Sequence, residues 1–148
     1  DKLSYFHSIF DWTYIDNSIT TNGSLLTLDI VEYFIKHDFS VMISIDGPKQ
    51  IHDINRRFAC NGMGTFDVLL NNLNELQKIY PEYIKKMSIS MVIDPSNDFS
   101  CINSIFLDYD IFKHMQLTTS IVDDMYSIQK TVYSFEYIQK REYEIYQI

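Results

Sequence analysis

The chain is poor in cysteine, proline and glycine, the residues that form disulfides, tight turns and flexible linkers. Its 148 residues include two cysteines, three prolines and four glycines. The cysteines, Cys60 and Cys101, lie far apart and match no metal-ligand spacing. The sequence therefore predicts two free thiols, or a disulfide if the fold brings them together. Ala59 is the single alanine, whereas Ile, Asn, Tyr and Lys are abundant, which indicates a biased codon source rather than a function.

Two further absences exclude classes of partner. Acidic residues outnumber basic ones by 20 to 12, which gives a formal net charge of −8. The basic residues form no cluster larger than a pair, and because nucleic acid binding normally needs a basic surface, we expect no nucleic acid partner. No apolar run reaches the roughly 18 residues of a membrane span. No signal peptide is recognisable at the start, so we expect no membrane partner and a cytoplasmic location.

Hydrophobic periodicity predicts strands that alternate with helices. The predicted strands are residues 18–21, 39–45, 87–93 and 117–122, and the predicted helices are residues 28–34, 66–76, 102–106 and 135–147. The apolar, β-branched second strand suits a position covered on both faces. Thr27, Thr65 and Ser100 are candidate N-caps, and a loop is predicted from Gly47 to Gly64. Such alternation predicts parallel βαβ units; about four strands make half a barrel or a small open sheet, since a full barrel needs about 250 residues.

Polar side chains stand where the first two predicted strands end. Asn22 follows the first strand, and Ser44 and Asp46 end the second, where their spacing of two directs both side chains the same way. Ligands in parallel α/β folds bind at this end of the sheet, and a hydroxyl beside a carboxylate suits a sugar diol or an amine. An ordinary Asn-Gly turn and a turn capped by Asp46 are the structural alternatives.

Two features of the following loop favour structural roles. His52 has no partner at metal-ligand spacing, so a histidine that pairs with the loop backbone is expected. Gly62 and Gly64 lack the lysine and the length of a phosphate-binding loop, so they are expected to form a flexible entry to the next helix.

Taken in order, these pieces resemble the middle of a radical S-adenosylmethionine enzyme. The ordered set is T-N-G at 21–23, S-I-D-G-P at 44–48, H-D-x-x-R at 52–56 and G-x-G-T-F at 62–66. It resembles the branch that matures peptides and proteins and usually carries a C-terminal SPASM domain. The resemblance covers roughly residues 19–106 and implies an α/β fold, a partial (β/α) barrel with parallel strands and flanking helices.

The resemblance also implies a binding site for S-adenosyl-L-methionine. Carried onto this chain, it places Asn22 and Arg56 on the methionyl group and Ser44 on the methionyl or ribose part. Arg56 suits a cofactor carboxylate because its planar fork can bind it bidentately. Arg57 is the adjacent rival, and a solvated surface pair is the structural alternative for both.

The chain departs from the family in what it lacks. It contains neither the C-x-x-x-C-x-x-C loop, whose three thiolates hold a 4Fe-4S cluster, nor a G-G-E sequence, nor a cysteine-rich SPASM region. The resemblance therefore implies one partial radical SAM barrel domain over residues 1–148, from about the third to the sixth strand. Cluster ligands are absent, so this chain alone is expected to be inactive.

The function implied is that of a fragment of an enzyme that abstracts a hydrogen atom from a peptide or protein substrate. Its partners would be that substrate and the missing remainder of the barrel, and both thioether formation and oxidation to formylglycine stay open. The alternative is a non-catalytic, truncated α/β domain that binds a peptide or protein partner. A flavodoxin-like or response-regulator-like sheet is a third possibility, but the sequence offers no acidic cluster or Ser/Thr-rich loop for it.

Overall fold

The computed structural model describes residues 16–94, 102–121 and 134–146. The elements in these ranges are β1 (Asn17–Thr21), α1 (Leu28–Lys36), β2 (Phe39–Ser44), α2 (Lys49–Asn55), α3 (Phe66–Ile79), α4 (Pro81–Ile84), β3 (Ser88–Ile93), α5 (Ile102–Asp108), a 3₁₀ helix (Asp110–Phe112), β4 (Gln116–Ile121) and α6 (Phe135–Tyr146). None of the helices in these three ranges has the length and apolar character needed to cross a membrane.

The four strands form one sheet in the order β1-β2-β3-β4, and all three neighbouring pairs are parallel. Strands that follow one another in the chain are therefore neighbours in the sheet, with helices in the connections. This arrangement confirms the predicted α/β fold with parallel strands and flanking helices.

The core lies on one face of the sheet, where alternate strand residues meet the helices. In β3, Ile89, Met91 and Ile93 are almost fully buried. The same buried cluster contains the apolar stripe of α3, which consists of Phe66, Leu69, Leu73 and Leu76, each at most 1% exposed. The stripe follows the spacing of three and four residues that the sequence predicts, because that spacing places side chains on one side of a helix.

The opposite face of the sheet is polar and only partly covered. On β2, Val41 and Ile43 point into the core, whereas Ser40 is exposed and Ser44 is half-buried. The expectation that this strand is covered on both faces is therefore wrong for the part of the chain described. Apolar and polar residues alternate along β2, so one face of the strand is buried and the other is polar. Met42 is the one apolar residue on the polar face.

The described ranges contain two α-helices that the sequence does not predict. The predicted loop contains α2, which begins directly after Pro48, whose φ of −59° suits the entry to a helix. Pro81 follows the end of α3 and occupies the first turn of the short helix α4. Both helices begin at or directly after a proline, which suits the first turn of a helix because the backbone N–H that it lacks would have no partner there.

The predicted caps differ from those in the structure. Thr27 and Thr65 occupy the N-cap positions of α1 and α3, but neither makes a side-chain capping hydrogen bond. The predicted cap at Ser100, together with Cys101, lies outside the described residues.

Candidate functional site

A row of polar side chains crosses the open face of the sheet. Thr21 of β1 pairs with Ile43 of β2, so Asn22, one residue further along, is level with Ser44. Ser44 pairs with Ser90 of β3, which in turn pairs with Thr118 of β4. We call Asn22, Ser44, Ser90 and Thr118 the polar row. It brings two of the predicted site residues side by side.

The turn after β1 is held in place by α3. The Asn22 Oδ1 accepts hydrogen bonds from the backbone N–H of Ser24 at 3.1 Å and from its hydroxyl at 2.9 Å. The Asn72 side chain donates to the carbonyl oxygens of Gly23 and Ser24 at 3.0 and 3.1 Å. Gly23 has a φ of +72°, and a Cβ there would lie 2.2 Å from Leu69 Cδ1, so this turn requires glycine.

An ion pair joins the end of β2 to the end of α2. Arg56 donates from Nε to Asp46 Oδ2 at 2.5 Å and from Nη2 to Asp46 Oδ1 at 3.0 Å. The same Oδ1 accepts the backbone N–H of Val92 in β3 at 3.1 Å. The side chains are only 26% and 14% exposed, for Arg56 and Asp46 respectively. Arg56 therefore faces the strand ends, and Asp46 is its partner rather than a cap for the following turn.

Arg57, the predicted rival, faces the other way. Its guanidinium donates to the carbonyl oxygens of Ile54 and Gly62 at 3.3 and 3.4 Å, and its backbone forms an antiparallel bridge with Gly64. Arg57 thus closes the exposed loop between α2 and α3, and it does not share the Asp46 carboxylate.

His52 is fully buried and connects three backbone segments. Its Nδ1 accepts the backbone N–H of Asp46 at 3.3 Å, and its Nε2 lies 3.0 Å from the hydroxyl of Thr65. That hydroxyl donates to the carbonyl oxygen of Arg56 at 3.2 Å. Burial lowers the pKa of His52 from its ordinary value of 6.5, and Arg56 adds to this effect while Asp46 and Asp53 oppose it. The predicted role of a histidine that pairs with the loop backbone is confirmed.

Asp53 caps α3 in place of Thr65. Its Oδ1 accepts the backbone N–H of Phe66 at 3.1 Å, and Lys49 lies 3.8 Å from its other oxygen. A Cβ on Gly64 would lie 2.0 Å from the carboxyl carbon of Asp53. Gly64 is therefore a close contact with a carboxylate, and its interpretation as a flexible entry is wrong.

The residue types in this region do not form a metal centre in the described ranges. No group of three or more His, Cys, Asp and Glu side chains there is placed to hold a metal ion. Cys60 is exposed in the loop between α2 and α3. Because the 4Fe-4S cluster that the resemblance implies takes three thiolates, the residues described do not fit one.

Comparison with known proteins gives a consistent set of relatives, although no protein-family model matches the chain. A cysteine-type anaerobic sulfatase-maturating enzyme of Clostridium perfringens (strain 13) is 32% identical over 92 residues, which cover 62% of this chain and 23% of that protein. A serine-type anaerobic sulfatase-maturating enzyme of Bacteroides thetaiotaomicron is 42% identical over 66 residues, covering 43% and 15%. The matches thus span less than a quarter of these curated relatives.

Solved structures agree with the sequence matches. A histidine-tagged form of anSMEcpe with bound AdoMet has a TM-score of 0.73 at 25% identity and covers 99% of this chain, which corresponds to 38% of that structure. Native anSMEcpe with bound AdoMet and the Kp18Cys peptide has a TM-score of 0.66 at 27% identity, covering 93% and 40%. The fold matches part of a radical SAM barrel. The chain is thus homologous to a portion of the anaerobic sulfatase-maturating enzymes, which are radical S-adenosylmethionine peptide maturases.

Proposed function

We propose that residues 1–148 form one partial barrel domain of a radical S-adenosylmethionine enzyme, from about its third to its sixth strand. The observation that carries this proposal is that Asn22, Ser44 and the Arg56–Asp46 ion pair lie at the same edge of the sheet. Four parallel strands in sequential order, with one polar face, support a barrel wall whose polar face lines the interior. The match of 99% of this chain to 38% of a related structure supports a part of a larger domain.

The proposed ligand of this edge is S-adenosyl-L-methionine. Ser44 offers a hydroxyl on the open face, and Asn22 offers its amide N–H groups, since its oxygen is already engaged by Ser24. Arg56 uses Nε and Nη2 on Asp46, which leaves Nη1 for the carboxylate of a ligand. When bound, this cofactor supplies the group that removes a hydrogen atom from the substrate. The residues of this chain would bind and orient it and exclude water.

The ligands of a 4Fe-4S cluster are proposed to lie in a part of the intact enzyme outside this chain. The substrate is proposed to be a peptide or protein that carries a cysteine or a serine, because the relatives are named cysteine-type and serine-type sulfatase-maturating enzymes. Solved relatives with bound Cp18Cys and Kp18Cys peptides support a peptide substrate. Both chemistries left open by the motifs, thioether formation and oxidation to formylglycine, stay open for this substrate. The proposed location is the cytoplasm.

The proposal is tested by titrating the 148-residue chain with S-adenosylmethionine. Binding is measured from the changes in the backbone amide chemical shifts. We expect saturable shifts at Asn22 and Ser44. Ser44→Ala should weaken binding about tenfold at most, because a single hydrogen bond is worth about 0.5–1.5 kcal/mol. Ser40→Ala is the matched control, since it removes a hydroxyl from the same face of the same strand, at the opposite end.

The outcome that contradicts the proposal is equally specific. Shifts confined to the helical side of the sheet, no saturable shift at all, or equal weakening by Ser40→Ala and Ser44→Ala would remove the cofactor role of this edge. A non-catalytic domain that binds a peptide without the cofactor would then be favoured.

A further inference from the structure

We propose that His52 is a positioning residue that closes a ring of hydrogen bonds and thereby fixes the Asp46–Arg56 ion pair at the edge of the sheet. The ring consists of His52, Thr65, Arg56 and Asp46, and we call it the His52 ring. The ring itself consists of contacts within this chain. Only the identity of the ligand that would bind at this edge of the sheet rests on the proposed function.

The His52 ring holds both members of the ion pair twice. The carboxylate of Asp46 accepts from the guanidinium of Arg56 at 2.5 and 3.0 Å. The backbone N–H of Asp46 donates to His52 Nδ1 at 3.3 Å. The backbone carbonyl of Arg56 accepts from the Thr65 hydroxyl at 3.2 Å and from the Thr65 backbone N–H at 3.1 Å. The Thr65 hydroxyl in turn lies 3.0 Å from His52 Nε2. His52 and Thr65 therefore set the distance between the two backbones that carry the ion pair.

Only one protonation state of His52 satisfies every contact in the ring. A backbone N–H always donates, so Nδ1 must be unprotonated to accept from Asp46. Nε2 then carries the single proton and donates to Thr65, whose own proton goes to the carbonyl of Arg56. The direction of the hydrogen bonds is the same throughout, from Asp46 to Arg56. The ring thus requires the neutral Nε2–H form of the imidazole.

The surroundings of His52 favour this form. The side chain is 0% exposed, and its ring packs edge-on against Phe66, with the centroids 5.5 Å apart. The charged groups that face it are Asp46 and Asp53, which favour a second proton, and Arg56, which opposes it. Burial is the largest influence and keeps the imidazole neutral. A second proton on the imidazole would make Nδ1 a donor, so that it would face the N–H donor of Asp46 with no acceptor between them.

The proposal is tested on the 148-residue chain by ¹⁵N NMR of the histidine rings and by solvent exchange of the Arg56 Nε–H. At neutral pH we expect His52 to be protonated on Nε2 only and the Arg56 Nε–H to exchange slowly. His52→Gln removes the ring nitrogen Nδ1 that accepts from Asp46, and Thr65→Val removes the hydroxyl while keeping the shape. Each should speed the exchange about tenfold, the equivalent of one hydrogen bond.

Two matched variants separate positioning from general loss of stability. Thr65→Ser keeps the hydroxyl and should keep the slow exchange, and His114→Gln changes an exposed histidine and should do the same. A purely structural role would leave the Arg56 exchange unchanged in His52→Gln and Thr65→Val while lowering overall stability, and that result would overturn the proposal. If those variants fail to fold, a wild-type His52 protonated on Nδ1 would overturn it independently.

The same variants distinguish failure of this proposal from failure of the proposed function. If the Arg56 exchange responds as expected but S-adenosylmethionine does not bind the wild-type chain, the His52 ring stands and the cofactor role fails. If S-adenosylmethionine binds and binding is insensitive to Thr65→Val, with the Arg56 exchange also unchanged, the cofactor role stands and the positioning role fails.

Discussion

Replacement of Gly64 by alanine tests how the loop before α3 is built. In the structure, a Cβ on Gly64 would lie 2.0 Å from the carboxyl carbon of Asp53 and 2.1 and 2.4 Å from its two oxygens. No real Cβ tolerates such contacts, so the Asp53 side chain must move. Movement of that carboxylate removes the hydrogen bond of 3.1 Å that caps the backbone N–H of Phe66.

The expected magnitude follows from the two losses. A lost N-cap costs about 1 kcal/mol of the free energy of unfolding, and forcing an extra carbon into a packed site costs about 1–3 kcal/mol. We therefore expect Gly64→Ala to destabilise the chain by about 2–4 kcal/mol. Asp53→Ala removes the cap alone and should cost about 1 kcal/mol.

The decisive measurement is the double variant, with urea denaturation as the assay. Once Asp53 is alanine, the added methyl group at Gly64 has room, so Gly64→Ala should then cost almost nothing. The two changes should deviate from additivity by about 2–4 kcal/mol, which overlaps the upper part of the range of about 0.5–3 kcal/mol observed for residues in direct contact. If the two losses were simply additive, the clash with Asp53 would not be the reason that glycine is needed here.

Three further predictions concern the core, the buried histidine and the missing cluster. Leu73→Ala should lower the free energy of unfolding by about 2–5 kcal/mol, as measured by urea denaturation, because the side chain is fully buried. The folded chain binds a proton at His52 less readily than the unfolded chain, since burial lowers its pKa from 6.5. The contribution of neutral His52 to the free energy of unfolding should therefore be complete above pH 6.5 and decline below it. His52→Gln should flatten this decline with pH, whereas His114→Gln should leave it unchanged. Anaerobic reconstitution with iron and sulfide should yield no stable 4Fe-4S cluster and no 5′-deoxyadenosine, because Cys60 and Cys101 cannot supply three thiolates; clear cluster absorbance with turnover would contradict this.

The ordered motifs predicted the family of relatives better than they predicted the structural role of each residue. They predicted a radical SAM maturase, and the relatives confirm that resemblance. Within the motifs, however, several residues serve the local structure first. Asp53 caps α3, Gly64 admits that carboxylate, and Thr65 joins the His52 ring. The opposite charges of Asp46 and Arg56 within one short segment were the signal that could have predicted their ion pair.

Other features of the site depended on facts that a linear pattern does not contain. Arg56 and Arg57 are adjacent and chemically identical, so the sequence left both as candidates. The structure separates them because consecutive residues after a helix end point in different directions: Arg56 meets Asp46, and Arg57 meets the loop carbonyls. The roles of Asn22, Ser44 and Arg56 toward a cofactor stay predictions.

The sequence by itself determined the four strands, the longer helices and the buried sides of α3 and β3. The stripe of α3 and the alternation in β3 are repeats over a few residues, and a helix or a strand converts such a repeat directly into one apolar side. Only the tertiary structure decided the contacts among Asp46, His52, Arg56 and Thr65. These contacts join segments separated by up to 19 positions, from Asp46 to Thr65, and their geometry depends on the path of the backbone between β2, α2 and α3, which no local repeat specifies.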